Sequence, residues 1–415
     1  MDDTTGAVDR GVLAGRLAPH YSRFAVSEQL LLTGHSHQAW PDVAREAQLE
    51  AFDDAARMAD QKWDRAFAKA ERVRAGLRAL LGDPRAELAL APNTHELALR
   101  FLSALDLHRR RRLITTDGEF HTLRRQLNRL GEDWLEVIRV AASPVDTLAE
   151  RLAQAADERT AAVLVSAVLF EDARVVPDLD RLADVCADRG AELLVDAYHA
   201  LGPVPFVAPG SAWVVGGGYK YLQLGEGNCF LRVPEHASDR RPAITGWFAE
   251  YADRSLRPAA GKVAYGTGAA AFAGSTYDPT SHYRAARVLD FFAEQGLTAA
   301  VLHASYRRQV RLLADRFDAL DAPTDLIARD YETPLEGYGG FLALRAAQAG
   351  EIERALLARG VRCDSRGDHV RLGPAPYLID EQLEAAVGLL GEVLADEIAR
   401  STRGRSPTTP IRPAG

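Results

Sequence analysis

Apolar and amphipathic segments alternate through the middle of the chain. Ala161–Leu169 is a largely apolar segment of strand length, while Asp180–Arg189 has apolar positions at helical spacing and ends before Gly190. Glu192–Val195 is a second apolar strand, and it ends on Asp196. A strand, a helix closed by a glycine and a second strand predict a right-handed parallel crossover with both strands buried. This part of the chain therefore indicates an α/β domain.

The flanking segments extend the same alternation. Glu87–Ala91 predicts a short strand, after which Asn93–Glu96 has the features of a helix N-cap with a carboxylate at the third helical position. Leu113–Thr116 and Trp134–Val140 predict further strands, separated by a helix over Thr122–Leu130. The C-terminal part of the chain changes to long helical segments rich in Ala, Leu and Arg, with fewer strands. We therefore expect a large, mostly parallel sheet domain and a second, smaller α+β domain.

The length of 415 residues exceeds that of one average domain. Both ends are polar, and the C-terminal end is rich in Gly, Pro and Thr, which predicts loose termini. The predicted divisions are a loose N-terminus (1–10), an N-terminal segment that joins the small domain (11–60), a large α/β domain (61–285), a small C-terminal α+β domain (286–400) and a disordered tail (401–415).

Composition narrows the class of protein. The 50 basic and 58 acidic residues give a net charge of −8, which disfavours nucleic acid and anionic membranes as partners. The apolar segments are too short to span a bilayer, and the acidic N-terminus has no signal-peptide pattern. Three widely spaced cysteines, in no CxxC pair, are typical of a reducing compartment. These features predict a soluble cytoplasmic protein.

Candidate chemistry begins with Lys220, which follows a run of glycines and Tyr219. Glycines let the backbone pass close to a bulky group, and a lysine beside them can be buried, although a lone lysine is more often solvated. Asp196 ends an apolar strand, where parallel sheets place ligands, but it could equally cap a helix. His199 lies three residues later and could face the same ligand or pack as a hydrogen-bonded core residue.

Two further positions complete a pattern. Pro92–Thr94 precedes a helix, whose free N–H groups favour a phosphate, although an ordinary cap is the commoner role. Phe120 follows a strand and could stack on a ring or pack in the core. Pyridoxal phosphate needs a lysine for its aldehyde, an acid at its pyridine nitrogen, an anion cradle and a flat side chain on its ring. With Lys220 and Asp196, the chain offers each of these groups.

Five separated motifs then resemble kynureninase, a member of the class V aminotransferase group. They agree with that family in their order along the chain, and the similarity extends from about residue 28 to 390. The motifs are Leu194–Gly202, with its Asp-x-x-His; Gly218–Leu222, with its Tyr-Lys pair; Gly246–Phe248; Cys363–Arg366; and Val370–Tyr377, with an arginine before Pro-x-Pro.

The resemblance implies a fold-type I pyridoxal-phosphate transferase-like fold and assigns roles around the cofactor. Lys220 would bind pyridoxal 5'-phosphate as a Schiff base and later move the α-proton, with Tyr219 as a proton relay. Asp196 would pair with the pyridine nitrogen, and Phe120 would stack on the ring. The other residues implied around the cofactor, mostly at its phosphate, are Asn93, Thr94, Ser166 and His199, together with Tyr219.

The resemblance also implies substrate contacts. Arg371 would bind the substrate carboxylate, for which a planar guanidinium is suited, although it could be an ordinary surface arginine. Trp247 would lie at the phosphate or substrate position of the other subunit's site, because the family forms homodimers with shared active sites.

Three departures from the family concern the substrate. Its Gly-Asn-Ser-Leu-Gly segment corresponds to 34–38, which includes His35 and Ser36, and its asparagine falls at Ser275 or Thr276. An expected histidine is absent from 58–63. Since buried polar contacts discriminate strongly between substrates, these changes could redirect specificity.

His35 is followed two residues later by His37. Two histidines at this spacing are candidate metal ligands. No third ligand lies close to them in sequence, so we expect no metal. We expect active-site lid or substrate residues instead, with packing or capping as the alternative.

The expected activity is that of a hydrolase of the kynureninase type, which cleaves the Cβ–Cγ bond of kynurenine or a related amino acid. A class V aminotransferase or a β-eliminating lyase is the alternative, because fold does not determine the reaction. A non-catalytic relative is disfavoured, since a scaffold needs none of Lys220, Asp196 and Arg371.

Overall fold

The computed structural model describes residues 12–253 and 258–404. Its strands are β1 (Leu30–Leu31), β2 (Glu87–Ala91), β3 (Arg112–Thr116), β4 (Glu136–Val140), β5 (Thr160–Ser166), β6 (Glu192–Asp196), β7 (Trp213–Gly217), β8 (Cys229–Val233), β9 (Leu342–Arg345), β10 (Val361–Arg362), β11 (Asp364–Arg366) and β12 (His369–Leu372). Its α-helices are α1 (Val12–Leu17), α2 (Val43–Met58), α3 (Lys62–Leu81), α4 (Thr94–Ser103), α5 (His121–Asp133), α6 (Leu148–Ala155), α7 (Leu179–Asp188), α8 (Thr280–Glu294), α9 (Ala299–Asp318), α10 (Ala349–Ala358) and α11 (Asp380–Gly404).

Seven strands form the large sheet in the order β2-β8-β7-β6-β5-β3-β4. Neighbouring strands are parallel except at β8, which runs antiparallel to both β7 and β2. Every residue of β5 is buried, as expected for a parallel strand covered on both faces. Gly190 follows α7 with a φ of 63°, a conformation that glycine adopts without steric cost, and so lets the chain turn into β6.

Apolar side chains cover the large sheet on both faces. Val163 and Leu193 belong to the larger apolar cluster, whereas their neighbours Leu164 and Leu194 belong to a separate one. Since successive side chains of a strand point to opposite faces, the two clusters are the two covers of one sheet. Polar groups can therefore collect only at the strand ends, which is where the candidate site lies.

The C-terminal part forms a smaller unit. β9, β11 and β12 make an antiparallel sheet in the order β11-β12-β9, against which α10 packs. The N-terminal segment joins this unit, because β1 pairs in parallel with β10 and the Gly34 N–H donates to the Gly373 carbonyl at 2.8 Å.

A buried polar network ties the N-terminal segment to the chain beyond Lys220. Tyr21 OH donates to Gln223 Oε1 at 2.5 Å, and Gln223 Nε2 donates to Gln38 Oε1 at 3.0 Å. Gln38 Nε2 in turn donates to the hydroxyl of Tyr306, on α9, at 2.6 Å. Gln223 is three residues from Lys220. These bonds therefore hold the loop that carries Lys220 against the N-terminal segment and against α9.

The strands predicted from the sequence are confirmed, with ends that move by a few residues, and so are the helices at α5 and α7. The predicted loose terminus at 1–10 lies outside the described residues. So does most of the predicted tail, although α11 continues to Gly404 and occupies its beginning. Within the described ranges, every helix is too short or too polar to cross a membrane.

Candidate active site

A cavity of about 310 Å³ lies at the carboxyl ends of the central parallel strands. Asp196 ends β6, Ser166 ends β5, and Lys220 follows β7 by three residues. Ligands of open α/β sheets bind at this edge. The sequence-predicted residues that line the cavity are Asn93, Thr94, Phe120, Ser166, Asp196, His199, Tyr219 and Lys220.

Lys220 is buried, with 7% of its surface exposed. Its Nζ lies 2.7 Å from Nε2 of His199. Burial lowers the pKa of Lys220 to about 8, although the charge of Asp196 opposes the shift. The glycines before it are required by space: a Cβ on Gly218 would lie 2.5 Å from a methyl group of Leu224. The amine is therefore held in a crowded site, where burial brings its pKa closer to neutral than that of a solvated lysine.

Aromatic rings surround this amine. The ring centroids of Tyr198, Phe120 and Tyr219 lie 4.8, 5.4 and 5.7 Å from Lys220 Nζ. The faces of such rings attract a cation and also stack on a planar ligand. The Phe120 ring is itself held edge-on by Phe170 at 5.4 Å.

Asp196 is a partly buried acid without an ion pair in the described part of the chain. Its Oδ1 accepts the Tyr198 backbone N–H at 2.8 Å. Burial raises its pKa, while that hydrogen bond and the charge of Lys220 oppose the rise. His199 has a similar deficit, because its Nδ1 is buried and has no hydrogen-bond partner among the described residues. Such unpaired polar atoms are rare in native proteins and are expected where a ligand binds.

Glu119 is a further buried acid that sequence reasoning missed. Its carboxylate accepts hydrogen bonds from Ser166 Oγ at 2.6 Å, the Ser166 N–H at 3.1 Å and Thr116 Oγ1 at 2.8 Å. Burial raises the pKa of Glu119 to about 7, and the negative charge of Asp196 adds to this shift. Glu119 thus fixes the orientation of Ser166, whose hydroxyl donates its proton to the Glu119 carboxylate. The position directly before Phe120 was the signal available in the sequence.

The first turn of α4 reaches the cavity through Thr94 and His95. Asn93 caps this helix, since its Oδ1 accepts the Glu96 N–H at 2.9 Å, so the predicted N-cap is confirmed. The N-terminus of a helix favours an anion through its remaining N–H groups and its dipole. Backbone groups, rather than the Asn93 side chain, are thus what this turn offers a phosphate.

Arg371 is almost completely buried, with 3% of its surface exposed, and does not line the cavity. Its Nε and Nη2 donate to the two oxygens of Asp364 at 2.8 and 2.6 Å, and its Nη1 donates to the Phe170 carbonyl at 2.5 Å. It is close enough to Lys220 that its charge lowers the pKa of that lysine. Arg371 is therefore not a surface arginine, and it adjoins the cavity through Phe170, which lines it.

His35 is not a lid residue, and that expectation is wrong. It is 1% exposed, and its Nε2 lies 2.8 Å from Asp364 Oδ1. Burial lowers its pKa to about 4, although Asp364 opposes the shift. The local fold requires this position, because a Cβ on Gly373 would lie 2.1 Å from His35 Nδ1.

The neighbours of His35 point elsewhere. Ser36 Oγ donates to the Thr33 carbonyl at 3.1 Å. The His37 ring stacks on Tyr219, with centroids 4.9 Å apart, and reaches within 3.8 Å of Glu226. His37 is thus exposed beside the cavity, whereas His35 bonds Asp364, so the two imidazoles do not converge on one metal.

Trp247, Ser275 and Thr276 lie together but not at Lys220. Trp247 Nε1 donates to Thr276 Oγ1 at 3.2 Å. Ser275 and Thr276 line a second cavity of about 1190 Å³, which shares only Pro92, Glu226 and Gly227 with the first. Within one chain these three predicted residues therefore do not complete the lysine site.

No family model matches the chain. It is 25% identical over 345 residues to the "Uncharacterized aminotransferase YcbU" of Bacillus subtilis, covering 82% of this chain and 86% of that protein.

Among solved structures it resembles the apo cysteine desulfurase of Thermococcus onnurineus NA1, with 16% identity, a TM-score of 0.75 and coverage of 92% of this chain and 98% of that one. A variant of C-DES, with glycine covalently linked to its PLP cofactor, gives 15% identity, a TM-score of 0.77 and coverage of 90% and 98%. The chain therefore has the fold of fold-type I pyridoxal-phosphate enzymes of class V, which confirms the predicted fold class. None of these three proteins is named for activity on kynurenine, so specificity for kynurenine stays a prediction.

Proposed function

We propose that this protein is a pyridoxal-phosphate-dependent enzyme that acts on an α-amino acid and binds its cofactor through Lys220. One observation carries the proposal: a buried lysine with a lowered pKa lies 2.7 Å from a buried histidine, among aromatic rings, in a cavity that it shares with Asp196, a partly buried carboxylate with no ion pair among the described residues. Perturbed ionisable groups of this kind cluster at functional sites. A purely structural role would leave their desolvation uncompensated.

The residues fit this cofactor group by group. Lys220 Nζ would bond its aldehyde carbon, and Asp196 would pair with its pyridine nitrogen. Phe120 would stack on its ring, and the first turn of α4 would bind its phosphate. The bound group supplies an electron sink for the negative charge that develops at the substrate α-carbon.

The chain's own residues handle the protons and the substrate. Lys220 is poised to take and return a proton, because burial has brought its pKa near the working pH. His199 Nε2 holds the lysine in place. Burial raises the pKa of Tyr219, which keeps its hydroxyl protonated and able to donate. Arg371 would bind the substrate carboxylate.

For the reaction, we place an aminotransferase or a β-eliminating lyase first. The sequence relative is named an aminotransferase, and a structural neighbour with 15% identity and a TM-score of 0.75 is described as a cystine C–S lyase. A thiolate mechanism of the desulfurase kind is disfavoured, because burial raises the pKa of Cys186, Cys229 and Cys363 to about 12.

Hydrolytic Cβ–Cγ cleavage of kynurenine or a related amino acid is the second candidate. It is favoured by the Asp-x-x-His at Asp196 and by the Tyr219–Lys220 pair, and weakened by the loss of the family's asparagine at Ser275–Thr276. We also propose a cytoplasmic homodimer in which Trp247 and Thr276 serve the partner's site, since they lie away from Lys220 in their own chain. Sedimentation analysis measures that assembly.

Absorbance spectroscopy tests the cofactor proposal. Protein reconstituted with pyridoxal phosphate should be yellow, and Lys220→Ala should lose the band of the lysine-bound cofactor together with activity, by roughly 10⁴-fold or more. Lys262→Ala is the matched control, because Lys262 is exposed. A colourless wild type, or a Lys220→Ala variant that keeps the band, contradicts the proposal.

Product analysis separates the reactions. An aminotransferase requires a 2-oxo acid as amino acceptor, whereas a β-lyase releases pyruvate without one. A kynureninase releases anthranilate from kynurenine. Turnover of kynurenine to anthranilate at a rate above all other amino acids would reverse our order of candidates.

A further inference from the structure

Within the described ranges, the guanidinium of Arg371 has acceptors for only some of its N–H groups. It carries five N–H groups. Asp364 accepts one from Nε and one from Nη2, and the Phe170 carbonyl accepts one from Nη1. Among the described residues, one N–H on each terminal nitrogen is left without an acceptor, and Nη1 and Nη2 together are the end-on edge of the guanidinium. The spacing of that edge matches the two oxygens of a carboxylate.

Asp364 is itself fixed from two sides. The register of β11 and β12 places Asp364 directly opposite Arg371. His35 supplies the second constraint: because a carboxylate only accepts hydrogen bonds, His35 Nε2 carries the proton that it donates to Asp364. Burial disfavours the charge of Asp364, but the bonds from His35 and Arg371 outweigh this and hold its pKa well below its usual range.

We infer that Asp364 is a positioning residue, held by His35, that fixes Arg371 with its end-on edge free for the α-carboxylate of the substrate. This inference rests on the proposed function. It narrows the substrate to amino acids with a free α-carboxylate, and it assigns His35 to substrate recognition through Asp364 rather than by contact. Fixing the fork before the substrate arrives removes the entropy cost of ordering a long side chain on binding.

If Asp364 instead competed with the substrate for Arg371, its substitution would change substrate affinity in the opposite direction. A carboxylate that competes with the substrate would have to leave Arg371 before the substrate could bind. Removing the charge of Asp364 would then tighten binding. If Asp364 positions Arg371, removing its charge frees the fork and weakens binding.

The test is titration of the reconstituted enzyme with an amino acid that changes its absorbance. Asp364→Asn should raise the dissociation constant about 10- to 100-fold, the usual range for hydrogen bonds to charged groups. It should leave unchanged the binding of the corresponding amine, which lacks the carboxylate. Asp368→Asn, on the same hairpin and exposed, is the matched control and should bind as the wild type does.

Two further measurements separate positioning from a loss of structure. In an Arg371→Ala background, Asp364→Asn should have no further effect on amino-acid binding. If Asp364→Asn does not fold, His35→Gln decides the question, with a smaller rise in the dissociation constant and unchanged amine binding. Tighter or unchanged amino-acid binding in the folded variant overturns the inference. A wild type that responds to no amino acid overturns the proposed function instead.

Discussion

The lysine and arginine ends of the candidate site satisfy their charges in different ways. At the lysine end, Asp196 has no ion pair among the described residues and His199 keeps an unpartnered ring nitrogen. At the arginine end, the Nε and Nη2 groups of Arg371 already donate to Asp364, and Asp364 also accepts a hydrogen bond from His35. At the lysine end the charge of Asp196 has no counter-ion within the described ranges, whereas at the arginine end the two charges are already paired with each other before a ligand binds. The groups at the arginine end that still have no partner in the described part of the chain are neutral or donor-only: His35 Nδ1 and two guanidinium N–H groups of Arg371.

This difference indicates two ways to prepare a binding site. Unpaired buried groups lower the stability of the free protein and gain partners when the ligand binds. A charged group that is already paired in the free protein needs no ligand to offset its burial, and the pairing fixes the geometry of its side chain. Substitutions at the lysine end should therefore reduce activity more than stability, and substitutions at the arginine end should also reduce the stability of the free protein.

The largest effect should come from matched Asp→Asn substitutions. Asp196→Asn keeps the acceptor for the Tyr198 N–H but removes the charge, so activity should fall about 10³-fold while the cofactor-free protein is as stable as the wild type or more so. Asp364→Asn should instead lower the free energy of unfolding by about 3 kcal/mol, because it leaves the charge of the buried Arg371 without its counter-ion. Urea unfolding of the two cofactor-free variants checks this. Equal losses of stability in Asp196→Asn and Asp364→Asn would contradict the idea that only the arginine end is paired in the free protein.

The next effect is a pH dependence of stability from His35. Its pKa falls from the ordinary 6.5 to about 4 in the folded chain, so the unfolded chain binds more protons between those values. Stability should therefore fall as the pH drops from about 6.5 to 4, by about 3 kcal/mol from this group.

Comparing wild type with His35→Asn isolates this contribution. The difference between their unfolding free energies should change by that amount between pH 7 and pH 4, and the exposed His108→Asn should show no such change. A pH-independent difference would mean that His35 is not held uncharged.

The smallest effect should come from Phe120 at the lysine end. Phe120→Leu keeps an apolar side chain but loses the aromatic face, worth about 1 kcal/mol, so the dissociation constant of the cofactor should rise up to about tenfold. Phe170 also lines the cavity, but its ring lies 5.4 Å from the more central Phe120 and is farther from the proposed stacking position, so Phe170→Leu should change the dissociation constant less. Equilibrium dialysis measures both, and the reverse order would show that Phe120 is not the stacking residue.

Local patterns were enough to predict the sheet and the lysine end. The strand ending on Asp196 and the glycines before Lys220 each have a backbone reason that is readable within a few residues. The arginine end was harder, because His35 reaches Asp364 across most of the chain and the family motif gives no partner for either. Glu119 was missed because a single acid in a loop has no periodicity that distinguishes a buried from a solvated position.

The reversed strand β8 has a consequence for how the protein folds. β3 to β7 can assemble through short crossovers, but β2 joins the sheet only by pairing with β8, with Ala91 opposite Cys229 far along the chain. Pairings between distant segments form slowly, since a large loop must close first. That last pairing also brings the first turn of α4, directly after β2, to the lysine loop. The pairing that completes the sheet thus adds the helix turn proposed for the phosphate to residues that β5, β6 and β7 already bring together.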